Sequence, residues 1–487
     1  MVDTGLYPEK QRVCVVGGGL SGLSAAYLIR EEAGKAGLPV EITLLEAEPR
    51  TGGKIGTLSW EGCLGETGPN GFLDNKPHTL DLCARMGIEG SLLRSTDAAR
   101  KRYIFSGGRL QALPEDPVLF MGSDLVSVRG RIRIASEYLV PRKEGADDET
   151  LADFVRRRLG KEALDKLIGP MASGVFAGDP ENMSLAACFP KVLALEKKYG
   201  GLIRGMLAMK KEAALKGGSG PGSAGPGGVL TSFTGGMGDL TDALSGRLGE
   251  SVVTSAPVVK LEAAANGRNP RYRLTCGDSK DRAETDAAVV VLAIPAYASA
   301  ALLRELDPGI AATMDTIPYA VMAVVHLGYD ESSLPFPLDG FGFLIPKSEG
   351  RRILGSLWAS SIFSGRAPAG HALLTVMIGG AGDPFTPRLD EEDLLNVARQ
   401  EVNVTMGIET APVFSRVIKW EKAIPQYTFG HLDRIESIEN RLADHPGLFI
   451  TGNAWRGVGI NDCVAEGERA ARRVLEYLKE HRDGSAC

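Results

Sequence analysis

The stretch VCVVGGGLSGLSAAYLI, Val13 to Ile29, restricts the fold of this chain more than any other. Four residues, Val13 to Val16, read as a buried strand, and the glycine turn after them leads directly into a helical pattern at Leu20–Ala33. Gly17, Gly19 and Gly22 make G-x-G-x-x-G at that junction, with Gly18, Leu20 and Ser21 completing the turn. The first glycine permits a tight turn. The second lets the main chain approach a pyrophosphate, and the third lets helix and strand pack closely. The helix start offers free N–H groups and the positive end of its dipole to phosphate. Val40–Leu45 reads as the next strand, and Glu46 ends it, where a carboxylate accepts hydrogen bonds from ribose hydroxyls. The chain is therefore predicted to open with a dinucleotide-binding βαβ unit.

PRTGGKIGT follows Glu46, with Arg50, Gly52 and Gly53 in it, and GETGPNGF follows at Gly65–Phe72. This order resembles the glutathione-reductase-like and amine-oxidase-like flavoproteins. The resemblance implies non-covalent FAD. It places Ala47, Arg50, Gly53 and Lys54 around the second half of the cofactor and Thr67, Gly68, Pro69 and Asn70 against the flavin ring. Near the other end, GLFITGNAWRGVGINDCVAEGERAARRV (Gly447–Val474) repeats the grammar of strand, glycine turn and amphipathic helix. One βαβ unit covers only the ADP half of FAD. In that fold the C-terminal turn returns to the same sheet, so Gly452, Asn453, Val458, Gly459 and Ile460 are expected to hold the remainder. Val258 and Trp420 are expected near the cofactor as well. The middle of the chain lacks a second G-x-G-x-x-G, so reoxidation by NADPH is not indicated; oxygen or a quinone-like acceptor is expected.

At 487 residues the chain is long enough for two or three domains, and 44% apolar with 24% charged residues is a globular composition. A net charge of −6 argues against a general nucleic-acid binder. Cys14, Cys63, Cys83, Cys188, Cys276, Cys463 and Cys487 are scattered singly, without CxxC, which reads as reduced thiols in a cytoplasmic setting. The six histidines show no metal spacing, and no metal is expected. The longest apolar run, Ala287 to Leu303, contains Pro295 and reads as a strand (Ala288–Ile294), a turn and a helix start; no integral membrane helix is predicted.

Further segments resemble the oxygen-dependent, FAD-containing protoporphyrinogen oxidase family: ARKRYIFSGGRLQALP (Ala99–Pro114), SGVFAGDPENMSLAACFP (Ser173–Pro190), SFTGGMGDL (Ser232–Leu240), GFGFLIP (Gly340–Pro346), LLTVMIGG (Leu373–Gly380), IPQYTFGH (Ile424–His431) and GVGINDC (Gly457–Cys463). They occur in order over nearly the whole chain, and GVFAGD and IPQY-x-x-GH are the most specific. The resemblance implies removal of six electrons from a tetrapyrrole in three flavin cycles, with hydrogen peroxide released, in haem or porphyrin synthesis. It implies that Arg102 meets a propionate and that the Gly174 carbonyl faces the pyrrole N–H groups. Phe341, Gly342 and Leu344 would line one side of the rings, with Ile353 and Met377 on the other. No general base is assigned; His431 is the best-placed candidate, against its reading as a satisfied structural histidine. Trp420 likewise reads as a flavin neighbour or as core.

The alternatives are a coproporphyrinogen III oxidase forming coproporphyrin III, an amine or carotenoid oxidase of the same fold, and a non-catalytic binding protein. GVFAGD and LTVMIGG are similar to the protoporphyrinogen branch. The expected fold is α/β (α+β overall). A Rossmann-like FAD-binding domain of the glutathione-reductase/amine-oxidase type is drawn from residues 10–90, 229–300 and 432–487. A mainly helical domain is expected at 91–216, a flexible Gly/Pro/Ser loop at 217–228 and a β-sheet substrate domain at 301–431. Residues 118–140 mix apolar positions with Arg129, Arg131 and Arg133, which suits contact with the inner face of the cell membrane. The remaining expectations are a homodimer and hand-off of product to ferrochelatase.

Overall fold

Five short apolar strands, each followed or preceded by a helix, form one parallel sheet in this computed structural model, which describes residues 10–114, 122–145, 148–215, 228–264, 271–277 and 282–481. The strand order is Val252–Val253, Val40–Leu45, Gln11–Val16, Val289–Leu292 and Leu448–Ile450. All pairs are parallel. Val13–Val16, Val289–Leu292 and Leu448–Ile450 are buried on both faces, which is why they are continuously apolar. Val13 and Val15 pack on one side with Leu23, Ile29, Val464 and Val474; Cys14 and Val16 pack on the other with Ala300, Ile310 and Ile438. Helices Leu20–Lys35 and Ile460–Glu480 lie together on the first side. A Cβ at Gly467 would come within 2.9 Å of Ser21 O and 2.8 Å of Ser24 Cβ, so glycine allows this approach. The apolar run Ala287–Leu303 divides into strand Val289–Leu292 and helix Ala296–Leu303, with Pro295 capping the helix. Among the described residues no helix is long and apolar enough to cross a membrane.

A second sheet has seven strands: Phe414–Pro425, Tyr319–Asp330, His371–Gly380, Ile353–Trp358, Gly342–Leu344, Tyr103–Ser106 and Arg109–Ala112, in that order. Helix Glu391–Met406 covers one face through Leu394, Val397 and Val402, packed on Val325, Val376 and Ile378. The last two strands correct the expectation that residues 91–216 begin a mainly helical unit. They form a hairpin closed by Gly107 and Gly108, at φ 63° and 75°. A two-residue turn with positive φ at both positions matches the twist of the strands, and only glycine or asparagine enters it cheaply.

Helices do dominate beyond Ser127: Val128–Ala135, Leu151–Arg158, Gly169–Phe176, Pro190–Tyr199 and Leu202–Leu215. Their core of Phe154, Val155, Leu164 and Phe176 also takes in Tyr427, and Val458 packs against it. The C-terminal glycine turn is thereby tied to the helical unit. The loop expected at 217–228 lies, apart from Gly228, outside the described residues, as do residues 118–121 of the basic apolar segment and Cys487.

Candidate active site

Gly17 sits at φ +106°, and a Cβ there would come 2.7 Å from the Ala293 carbonyl. A Cβ on Gly22 would stand 2.0 Å from the Gly17 carbonyl. These two glycines are therefore required by the turn and by helix–strand contact. Gly19 is different: φ −70°, ψ 171°, with nothing within 4 Å of its missing Cβ. Its openness marks where a ligand comes close. No side chain caps the Leu20 helix and no acid lies in its first turn, so its first N–H groups remain available.

Glu46 braces this turn from below. Its Oε2 accepts from Gly18 N–H at 2.6 Å and its Oε1 from Glu48 N–H at 2.9 Å. Each oxygen keeps a lone pair for a ribose hydroxyl. Ala256 N–H donates to Glu46 O and Ser255 N–H to Glu48 O, which leads the strand beginning at Val258 past the same corner; Ala47 is exposed beside it.

The loop after Glu46 folds onto the first turn, with Gly52 N–H donating to Gly18 O at 2.8 Å. Arg50 shapes that loop from within: its guanidinium donates to the carbonyls of Thr51, Gly53 and Ile55. The cation left for a ligand is Lys54, which has no carboxylate partner among the described residues. Burial pushes its pKa down, and the Cys463 thiol, in the first turn of the C-terminal helix and itself kept neutral by burial, is its neighbour. A desolvated ammonium between two helix starts fits a pyrophosphate, whose charge would offset that desolvation.

Gly452 (φ +132°) follows strand Leu448–Ile450. One strand separates this turn from the first, so the two stand about 10 Å apart at the same sheet edge. Tyr427, absent from the residues expected at the site, holds this second turn. Its hydroxyl donates to Asn453 O at 2.6 Å and accepts from Gly457 N–H at 2.7 Å. His431 stacks on Tyr427 at 4.1 Å, and its Nε2 donates to Trp455 O. Burial pushes His431 down to about 4, leaving it neutral. The QYTFGH motif is thus scaffolding for the C-terminal turn, and His431 takes its structural reading. Gly459 caps the Ile460 helix, and its N–H donates to the Asp462 carboxylate.

The loop Gly65–Phe72 packs on the Lys54–Gly56 segment that follows the first turn. A Cβ at Gly68 would meet Lys54 O at 2.5 Å, and Thr67 Oγ1 donates to the Lys54 and Gly56 carbonyls. Pro69 and Asn70 are half-buried beside it. Trp420 reaches the loop from the seven-stranded sheet, its Nε1–H donating to Thr67 O at 2.7 Å. It packs with Met322, Leu354 and Met377 on the sheet face opposite helix Glu391–Met406.

Ile353 does not share that face. It is 3% exposed, in the core beneath helix Glu391–Met406, and Leu354 takes the place expected for it. A bulge between Ile353 and Gly355 shifts the register, and side chains alternate between faces along a strand. Leu344 packs against Gly174, where a Cβ would come within 2.9 Å of the leucine methyl. Gly174 lies in the last turn of helix Gly169–Phe176, where carbonyls lack helical donors. Gly342 (φ +120°) lets the next strand approach, since a Cβ would stand 2.0 Å from Ser356 O. Arg102 is exposed and lies over the half-buried Phe341 ring at 5.5 Å. Its neighbours are already paired, Lys101 with Asp339 and Arg100 with Asp97.

Residues 20–475 match the family model described as flavin containing amine oxidoreductase. The chain belongs to this family. It is accordingly an FAD-dependent oxidoreductase, and the two glycine turns with Glu46 and Lys54 have the shape and charge that would suit that cofactor. Coproporphyrinogen III oxidase of Bacillus subtilis (strain 168) is 32% identical to it over 96% of this chain and 99% of that protein. The chloroplastic protoporphyrinogen oxidase of Oryza sativa subsp. japonica is also 32% identical, over 96% of this chain and 88% of that one. A solved chain from Exiguobacterium sp. 255-15 superposes with a TM-score of 0.81 at 27% identity, covering 96% of this chain and 99% of that one. Reduced UDP-galactopyranose mutase, at a TM-score of 0.71 and 16% identity over 96% of this chain and 94% of that one, shares the fold. Among the described residues no cluster of histidine, cysteine and acidic side chains is arranged to hold a metal ion.

Proposed function

We propose that this protein oxidises a porphyrinogen to the porphyrin, with protoporphyrinogen as substrate and oxygen as final acceptor. The observation that carries the reading is an apolar face of Leu354, Met377 and Trp420 against the loop that accepts from Trp420, with Arg102, which has no carboxylate partner among the described residues, beside strand Tyr103–Ser106 of the same sheet. Relatives named for porphyrinogen oxidation align over nearly the whole chain. Bound FAD supplies a two-electron acceptor, used three times for the six electrons removed. The chain binds and orients: apolar side chains cover the ring faces and exclude water, Arg102 pairs with a propionate, and the Gly174 carbonyl accepts from a pyrrole N–H.

Coproporphyrinogen carries four propionates where protoporphyrinogen carries two. Lys101 and Arg100, the extra cations beside Arg102, already have Asp339 and Asp97 as partners, which favours the substrate with fewer carboxylates. Porphyrin fluorescence followed in air with both substrates tests this, and faster turnover of coproporphyrinogen overturns it. Arg102→Ala is expected to raise KM about tenfold with kcat little changed, because the ion pair acts on ground and transition states alike. A fall in kcat at constant KM would place Arg102 elsewhere.

In this reading the parallel sheet would hold FAD, the seven-stranded sheet would hold substrate, and the helical unit would carry the contact surface. Val128, Ile132, Leu139, Met206 and Leu207 are all exposed on that unit, among Arg129, Arg204 and Lys210. Apolar side chains rimmed by cations suit the anionic cytoplasmic face of a membrane. The protein should float with anionic vesicles, and Ile132→Asp with Leu207→Asp should leave it at the bottom of the gradient. Sedimentation of the wild type away from the vesicles would refute the surface.

A further inference from the structure

His326, on strand Tyr319–Asp330, is fully buried and has no part in the site described above. Its Nε2 lies 3.1 Å from Glu66 O, and its Nδ1 lies 3.1 Å from Thr375 Oγ1. A carbonyl only accepts, so the ring proton is on Nε2 and the Thr375 hydroxyl donates to Nδ1. The loop backbone rests directly on the ring, since a Cβ at Gly65 would stand 2.8 Å from His326 Nε2. One residue further along, Trp420 Nε1–H donates to Thr67 O. Both donors belong to strands of the seven-stranded sheet, and both acceptors belong to the loop that packs on Lys54–Gly56.

The other side of Glu66 is equally fixed. Its carboxylate accepts from Thr57 Oγ1 at 2.7 Å and Met237 N–H at 3.0 Å, and pairs with the buried Arg366 at 3.3 Å. In a trans peptide the C=O and N–H point to opposite sides. Drawing Thr67 O toward Trp420 therefore turns the Gly68 N–H away from the sheet. Thr67 N–H is occupied by Gly56 O, whereas Gly68 N–H has no hydrogen-bond partner among the described residues. It is an oriented, unused donor in the loop that faces the cofactor.

We propose that His326 is a positioning residue for bound FAD, acting with Trp420 through the consecutive carbonyls of Glu66 and Thr67 to aim the Gly68 N–H at the cofactor. Fixed backbone dipoles act strongly on a ligand because they need no reorganisation when charge develops. The inference rests on the flavin reading, and the two fail differently. A wild-type protein that neither carries nor takes up FAD removes the flavin reading itself. The presence or absence of porphyrinogen turnover leaves the role of His326 untouched.

The test uses the FAD-loaded full chain, with three readouts: FAD dissociation constant, visible flavin band and midpoint potential. His326→Leu removes both ring hydrogen bonds at similar volume. It is expected to weaken FAD about tenfold and to displace both the band and the potential. His326→Gln, which still donates toward Glu66 O, should return the dissociation constant to within about threefold of wild type. Unchanged flavin affinity, band and potential in His326→Leu would make the residue core packing only, whatever its melting temperature. Equal losses in the Leu and Gln variants would overturn the role of the donor. Should His326→Leu not fold, Thr375→Val and Trp420→Phe decide: the first removes the hydroxyl donor to His326 at near-constant shape, and the second removes the indole donor to Thr67 O while keeping an aromatic ring; wild-type spectra and affinity in both would refute the proposal.

Discussion

Gly22→Ala is expected to purify without FAD and to bind it at least about 100-fold more weakly, a loss of roughly 3 kcal/mol. The added methyl would lie 2.0 Å from Gly17 O and 2.9 Å from Ala293 Cβ, both inside the sheet edge. Backbone on two strands and the helix must then separate, and the N–H groups at the helix start move off the pyrophosphate. Gly19→Ala supplies the contrast. Its methyl meets nothing within 4 Å, at a backbone conformation open to any residue. The apo-protein should melt as wild type does, while FAD affinity falls about tenfold because the methyl occupies the cofactor's space. Quenching of flavin fluorescence on titration into apo-protein, beside melting of the apo-protein, separates the two. If Gly19→Ala binds FAD like wild type, the turn does not hold the pyrophosphate as described.

This contrast shows what local sequence conveys. Gly17, Gly22 and Glu46 are legible because the glycine spacing and the carboxylate ending the next strand lie in one βαβ unit, although both glycines also pack on the distant Ala293. The C-terminal turn was legible for the same reason, although its register beside Val289–Leu292 spans the chain. What holds that turn was not. Tyr427 and His431 look like any motif residues until the helical core brings them onto Asn453 and Trp455. Ile353, set beside the rings by the resemblance, lies one position off the open face, where a bulge before Gly355 shifts the register and Leu354 faces out instead. The Gly107–Gly108 hairpin lies inside the span 91–216 expected to be mainly helical. His326 carries no signal at all: a lone histidine in an apolar strand shows nothing of the Glu66 carbonyl 260 residues away.

Long-range charge pairing is the least legible feature and carries the second large effect. Glu137→Ala is expected to destabilise the helical unit by about 3–5 kcal/mol. Glu137 and Arg158 are both 0% exposed. Glu137 Oε1 accepts from Arg158 Nε at 2.7 Å and from Leu202 N–H at 2.8 Å, and its Oε2 accepts from Ile203 N–H at 3.0 Å. One carboxylate thus neutralises a buried guanidinium and caps helix Leu202–Leu215. Its removal leaves Arg158 with Glu196 as its remaining carboxylate among the described residues, beside the carbonyls of Val140, Pro141 and Gly200, and leaves two helix N–H groups without acceptors. Replacing both partners with leucine should recover much of the loss, since no charge stays buried, but about 1–2 kcal/mol is expected to persist from the uncapped helix. Hydrogen exchange across Leu202–Leu215 reads this locally, which a global melt of a multidomain chain does not. Accelerated exchange in Glu137→Ala, partly reversed in the double leucine variant, is the expected pattern. Wild-type exchange in Glu137→Ala would mean that the helix is held by its apolar contacts, and that the buried pair sets only the geometry of the segment around it.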